Sequence, residues 1–197
     1  MTQTTLSFQN LHKSFGSKIV LQGTNLKVAK GSTHVVLGGS GSGKSVMLKC
    51  LLGLIPLDDG TILVDGEDIS TVKPKDQPAL MRKFGMLFQA GALFDSMSVW
   101  ENVAFVLLQD GVKPSTAKDT AVAKLAQVGL KADVATMNPA DLSGGMRKRV
   151  ALARAVCHNP QIILYDEPTT GLDPITSDVI NDLIIKLQAD LKATSLV

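Results

Sequence analysis

The stretch Gly38-Gly39-Ser40-Gly41-Ser42-Gly43-Lys44-Ser45 lies between the apolar run Thr33-His34-Val35-Val36-Leu37 and the helix-like Val46-Met47-Leu48-Lys49-Cys50-Leu51-Leu52. A β-branched run that enters a glycine loop and then opens a helix is the setting a phosphate-binding loop requires. The glycines at 38, 39, 41 and 43 let successive backbone N–H groups turn inward around Ser40 and Ser42, and the helix N-terminus adds its partial positive charge. Lys44 is expected to reach terminal phosphates, and the Ser45 hydroxyl to ligate Mg²⁺.

Outward from this loop, the composition bounds the rest. The chain has 197 residues, 45% of them hydrophobic, enough for one well-filled core. Lys and Arg number 20 against 18 acids, a formal charge of +2, too balanced to argue for nucleic acid by electrostatics alone, and no nucleic-acid partner is expected. The two cysteines, Cys50 and Cys157, lie in apolar helical segments without His or Cys at ligand spacing and read as core residues in a reducing compartment. The polar opening Met1-Thr2-Gln3-Thr4-Thr5 does not read as a signal sequence, and no stretch has the roughly 20 apolar residues a membrane span needs. A cytoplasmic protein is expected, with any membrane role exercised through a partner.

Leu6–Leu11 and Ile19–Gln22 read as short strands, and Thr61–Ile69 as one or two more around an Asp-Gly turn, together forming a small antiparallel sheet. Lys83–Gln89 reads as a core strand. From Ser96 to Val128 the period becomes helical, with Val99, Val103, Val106 and Leu107 on one stripe and Ala121, Leu125 and Val128 on another. A helix over 143–157 stops before Pro160, and the run Ile162-Ile163-Leu164-Tyr165 reads as a buried parallel strand. Pro174–Leu191 reads as an amphipathic helix, with Ile175, Val179, Leu183 and Leu187 on its apolar face.

Asp166 and Glu167 end the buried strand, where a carboxylate can support Mg²⁺ and its neighbour can serve as general base for an attacking water. Upstream of them lies Leu142-Ser143-Gly144-Gly145-Met146, a serine and two glycines at a helix start, which is a second anion-binding arrangement. This segment resembles the signature LSGGQ of ABC transporter nucleotide-binding domains. With the glycine loop, Gln89, Asp166-Glu167 and Gly171-Leu172-Asp173, the resemblance covers the whole chain.

That resemblance implies an α/β P-loop NTPase fold: a parallel core sheet (1–88 and 160–197), an N-terminal antiparallel β subdomain and an inserted helical subdomain (89–159). It implies ATP and Mg²⁺ as cofactors. ATP would be held by residues 38–45 and stacked on Phe15, while Ser143, Gly144 and Gly145 complete the site of a second copy, so that the active unit is a dimer. Ser45, Gln89 and Asp166 would serve the metal, Gln89 and Glu167 would be catalytic, and Asp173 would be the D-loop aspartate. Arg147, Lys148 and Arg149 fall on the first turns of the signature helix, either near the catalytic interface or as a solvated face.

The segment from Leu87 to Phe105, and Met146 in place of the signature Gln, are similar to the Mla, toluene-tolerance and Mce-associated ATPases that drive phospholipid transport. Expected partners are therefore a transmembrane permease, docked through the apolar residues Leu93, Phe94, Met97, Trp100 and Phe105, and a Mce-type substrate-binding protein. The expected location is the inner face of the cell membrane. ABC domains carry a switch histidine on the strand after Asp166-Glu167, and the chain ends at Thr194-Ser195-Leu196-Val197, inside that expected strand. His12, His34 and His158 do not match its position, so binding of nucleotide with weak hydrolysis is expected of residues 1–197.

Overall fold

The computed structural model describes residues 3–197, which fall into two compact units: residues up to Lys83 together with Ala193–Val197, and Phe84–Lys192. The first unit is built on a long hairpin, β1 (Thr4–Phe15) and β2 (Lys18–Ala29), joined by a two-residue turn at Gly16-Ser17. These strands are far longer than the expected Leu6–Leu11 and Ile19–Gln22. The register shifts after Thr4, Phe8, Leu11 and Lys13, and these irregularities absorb polar stretches such as Gly23-Thr24-Asn25 that otherwise break a strand pattern.

After β3 (Thr33–His34) and α1 (Lys44–Leu51), β4 (Asp59–Val64) pairs antiparallel with β1, and β5 (Glu67–Asp68) folds back on β4 through Asp65-Gly66. Both turn residues have positive φ, 51° and 88°, as a two-residue hairpin turn demands. Leu6, Phe8, Leu11, Val28, Ile62 and Val64 form the apolar face of this sheet. Burial of each such side chain contributes roughly 1.5–3 kcal/mol. A five-residue helix, α2 (Gln77–Met81), was not foreseen, being too short and Pro-marked to show a period.

The strand expected over Thr33–Leu37 is shorter than its sequence suggests. Only Thr33 and His34 form ladder pairs, although Val36 N–H still donates to the Val197 carbonyl at 2.8 Å. Beyond this the chain turns into the glycine loop, and Leu37 is 89% exposed.

The second unit opens with β6 (Phe84–Leu87), followed by α3 (Val99–Val103), α4 (Phe105–Gln109) and α5 (Pro114–Gln127). Next come α6 (Gly144–Val156), β7 (Ile162–Tyr165) and α7 (Pro174–Leu191). Strands β6 and β7 are parallel, in register from Phe84 opposite Ile162 to Leu87 opposite Tyr165. All four residues of β7 are buried, as its uninterrupted apolar run requires.

Helices α3, α5 and α6 pack through Val99, Val103, Ala121, Leu125, Val150 and Leu152, none of which is exposed. Helix α7 has the expected bounds, yet its buried stripe is Ile180, Ile184 and Leu187. Ile175 and Val179, placed on the apolar face by their spacing, are exposed at 79% and 44%. The helix therefore turns a different set of its abundant aliphatics inward. Strand β8 (Thr194–Leu196) belongs to the first unit, where it pairs parallel with β3.

Candidate functional site

In the first unit the glycine loop delivers its residues to the N-terminus of α1. Gly43 is the helix N-cap with φ 98°, and a Cβ there would lie 2.9 Å from the Val20 carbonyl oxygen, so both backbone angle and space demand glycine. Among the described residues no side-chain cap hydrogen bond is made at the N-terminus of α1. The Lys44 ammonium donates to the carbonyls of Gly38 at 2.6 Å and Gly39 at 3.1 Å, so the cation is held over the loop. Ser42 N–H closes a turn on Gly39 O at 3.2 Å, and residues 38–42 are all exposed. Ser45 follows as the second residue of α1.

Phe15 stands at the end of β1 and is 48% exposed. Its strand is braced by Asp58, which accepts from Lys13 Nζ at 2.5 Å and Ser14 N–H at 2.6 Å. The lysine hydrogen bond first, and the Ser14 amide second, hold the Asp58 carboxyl below the usual carboxylate range. Lys13 Nζ also lies 5.4 Å from the Phe15 ring centroid, within cation–π range.

In the second unit the ends of β6 and β7 bring Gln89, Asp166 and Glu167 together. Asp166 extends the ladder by donating its N–H to Leu87 O at 2.9 Å, and it is buried. Glu167 then takes φ 47°, a left-handed backbone that costs a non-glycine residue about 1–3 kcal/mol. That turn directs its carboxylate to Gln89, whose Nε2 donates to Oε2 at 2.6 Å, and to Thr170, whose hydroxyl donates to the same oxygen at 3.1 Å. The Gln89 and Glu167 picked out from sequence are thus in direct contact.

The signature segment starts α6 with Ser143 as N-cap, its hydroxyl accepting from Met146 N–H at 3.3 Å. A Cβ on Gly145 would lie 2.9 Å from Thr176 Cγ2 of α7, whereas one on Gly144 would meet only Leu172 Cδ2 at 4.0 Å. Asp173 caps α7, accepting from Thr176 N–H at 3.0 Å and Thr176 Oγ1 at 2.6 Å. These bonds, the hydroxyl's first, lower its pKa.

Three features of this unit lie beyond the residues chosen from sequence. Lys148 is buried and donates to the Gln89 carbonyl and, at 3.4 Å, to the Glu167 carbonyl. Its spacing offered a signal, since Lys148, Leu152 and Ala155 share the buried stripe of α6. Arg154 forks onto the carbonyls of Gly91 and Ala92, each at 2.6 Å, fixing the loop that follows Gln89. Asn102, fully buried, donates to Phe94, Met97 and Ser98 carbonyls and accepts from Phe94 N–H, fixing the next turn.

Beside this loop is a cavity of about 310 Å³ lined by Phe84, Met86, Phe88, Phe94, Phe105 and Arg154, among others. Of the apolar residues expected in a docking groove, Phe94 and Phe105 line this cavity, with ring centroids 4.9 Å apart. Leu93, Met97 and Trp100 do not line it; all three are half-buried. The three histidines bond to protein groups: His12 with Asn10, His34 with Ser32 and His158 with the Phe84 carbonyl across the second unit.

Among the described residues no three acidic, His or Cys side chains converge on a metal site. Ser45 lies in the first unit and Asp166 in the second, and each carries an oxygen donor of the kind Mg²⁺ takes.

The ABC transporter family model matches residues 21–170. The chain is 43% identical over 194 residues to the Mycobacterium tuberculosis protein named probable ribonucleotide transport ATP-binding protein mkl, covering 98% of this chain and 54% of that one. It is 39% identical to the Haemophilus influenzae intermembrane phospholipid transport system ATP-binding protein MlaF, covering 100% of this chain and 75% of that one. The chain thus spans about half the length of the mycobacterial relatives it matches. Among solved structures, the dimeric bacterial ABC transporter cassette MJ0796 superposes with a TM-score of 0.87 at 30% identity, over 98% of this chain and 86% of that one. A post-hydrolysis dimer of the same cassette with ADP and Pi gives 0.86 at 31% identity, over 98% and 87%. With the family model matching most of its length, the chain belongs to the ABC transporter family and has the α/β fold of its ATPase cassettes.

Proposed function

We propose that this chain binds ATP with Mg²⁺ and hydrolyses it as the motor subunit of a transporter that moves phospholipids between membranes. The observation that carries the reading is the glycine loop at α1, where Gly43 tolerates no side chain and Lys44 is held over backbone carbonyls. Residues 38–45 would take the phosphates and Phe15 the adenine, stacking being worth about 1–3 kcal/mol. Ser45, Asp166 and Gln89 would serve Mg²⁺, which would neutralise phosphate charge when bound. Glu167 would act as general base towards the attacking water, its carboxylate aimed by Gln89 and Thr170.

Ser143, Gly144 and Gly145 would complete the site of a second copy, so the working unit would be a homodimer; the dimeric cassette structures support this. Residues 89–159 would form the helical subdomain on a core of 1–88 and 160–197. The cavity edged by Phe94 and Phe105 would receive a transmembrane permease, with a Mce-type protein carrying substrate. Among the described residues no helix is long and apolar enough to cross a membrane, in keeping with a cassette held at the inner face of the cell membrane by its permease.

The relatives' names divide over cargo. MlaF is named for phospholipid, supporting the lipid reading, and mkl for ribonucleotide, which favours a different importer or exporter as the second reading. Single-turnover hydrolysis of radiolabelled Mg-ATP tests the motor assignment. Phosphate release by the parent chain, lost in Glu167→Gln while ATP binding persists, is the expected result. Binding without release in the parent would make the chain a non-catalytic ATP module instead.

A further inference from the structure

The basic cluster Arg147-Lys148-Arg149 is divided by the fold. Arg147 is exposed and Arg149 half-buried, whereas Lys148 is 5% exposed and lies on the apolar stripe of α6 with Leu152 and Ala155. An ammonium buried on an apolar face costs free energy unless partners replace its water. Here the partners are the main-chain carbonyls of Gln89 and Glu167, with the Asp166 and Glu167 carboxylates near enough to favour the charge. Burial nonetheless pushes the lysine below its ordinary value.

The two carbonyls belong to the two residues whose side chains meet, Gln89 Nε2 on Glu167 Oε2. One cation therefore ties the backbone at the ends of β6 and β7, beneath the contact on which base orientation depends. Glu167 has the most use for such a tie, because its left-handed φ of 47° is a conformation that an unsupported non-glycine residue abandons.

We propose that Lys148 is a positioning residue for hydrolysis, pinning the main chain at Gln89 and Glu167 so that the amide and the carboxylate stay in register. It acts through the two residues it holds. The proposal rests on the ATPase reading above, and the test separates the two. Lys148→Met keeps the length and apolar stem and removes the donor, while Lys148→Arg keeps a donor.

In single-turnover hydrolysis the Met variant should be slowed at least tenfold, with its affinity for Mg-ATP within twofold of the parent and its melting temperature little changed. The Arg variant should recover much of the rate. Independently of turnover, amide exchange in the Met variant should quicken at Ala90–Gly91 and Thr169–Thr170 and stay unchanged at residues 38–45. A Met variant that hydrolyses like the parent, one whose ATP affinity falls as far as its rate, or unchanged exchange in both segments would overturn the proposal. Failure of the parent chain itself to bind or hydrolyse ATP would overturn the ATPase reading, with the exchange comparison still deciding whether Lys148 holds the two segments.

Discussion

Two glycine turns feed helices in this molecule, and they are built to opposite rules. At Gly38–Ser45 the turn is exposed, its helix has no side-chain cap, and a lysine from the first helical position folds back over the loop carbonyls. At Leu142–Gly145 the helix caps itself through Ser143, Gly145 is packed against Thr176, and the lysine one turn further on points into the protein. Helix N-terminal amides are alike in both, so what differs is the company they keep. The first turn carries its own cation, while the second spends a donor on its own serine and sends its cation towards Gln89 and Glu167. On the function proposed above, the first would hold phosphate and the second would complete the site of another copy.

The sharpest way to break this contrast is Gly144→Asp. A Cβ at Gly144 would make only an ordinary contact, with Leu172 Cδ2 at 4.0 Å, but a carboxylate there would face a partner's phosphate. ATP-driven dimerisation, followed by light scattering, should be abolished while ATP binding by the single chain persists; Gly144→Ala should still dimerise. Next in size is Gly43→Ala in the first turn. The added Cβ would lie 2.9 Å from Val20 O at a φ of 98°, so urea unfolding should show a loss on the order of 2–3 kcal/mol. The same change at Gly39, where a Cβ meets nothing within 4 Å, should leave stability within about 0.5 kcal/mol of the parent.

How legible the two turns were in the sequence differs as well. The first was readable almost whole, because strand, glycine spacing, lysine and helix are local. Ser143 and the start of α6 were equally local, and Asp173-Pro174 marked the start of α7 at the right residue. The contact between Gln89 and Glu167, 78 residues apart, depends on β6 and β7 pairing in parallel, which motif matching implied but no local pattern contained. The inward face of α7 was misjudged because Ile175, Val179, Ile180, Ile184, Ile185 and Leu187 offer two overlapping stripes, and tertiary packing selects one. Lys148 was legible only as one of three consecutive basic residues, either near the catalytic interface or on a solvated face, and it is burial that distinguishes the middle one.

The helices behind the turns differ in a further measurable way, through their buried thiols. Burial pushes Cys157, at the end of α6, up to about 11 from 9.0, while Cys50 in α1 is raised by burial against an opposing influence of Lys13. With the folded pKa above the unfolded one, the unfolded chain gives up its proton first as pH rises, so this stability is intact below pH 9 and is lost between 9 and about 11. The unfolding free energy from urea titrations should fall by about 1.4 kcal/mol more from pH 8 to pH 10 in the parent than in Cys157→Ala. Equal slopes would place the alkaline loss elsewhere. Smaller than this is Ser143→Ala, which removes the cap of α6 and should cost about 1 kcal/mol of stability, measured in the same way at pH 7.

The most direct test of the contrast is equilibrium binding of Mg-ATP to Lys44→Ala beside the parent chain. Removing the one cation that the first turn holds over its own carbonyls should weaken binding at least tenfold, corresponding to about 1.5–3 kcal/mol for a charge-assisted contact to phosphate. Equal affinity in the two proteins would show that Gly38–Ser45 is not where this chain holds its nucleotide.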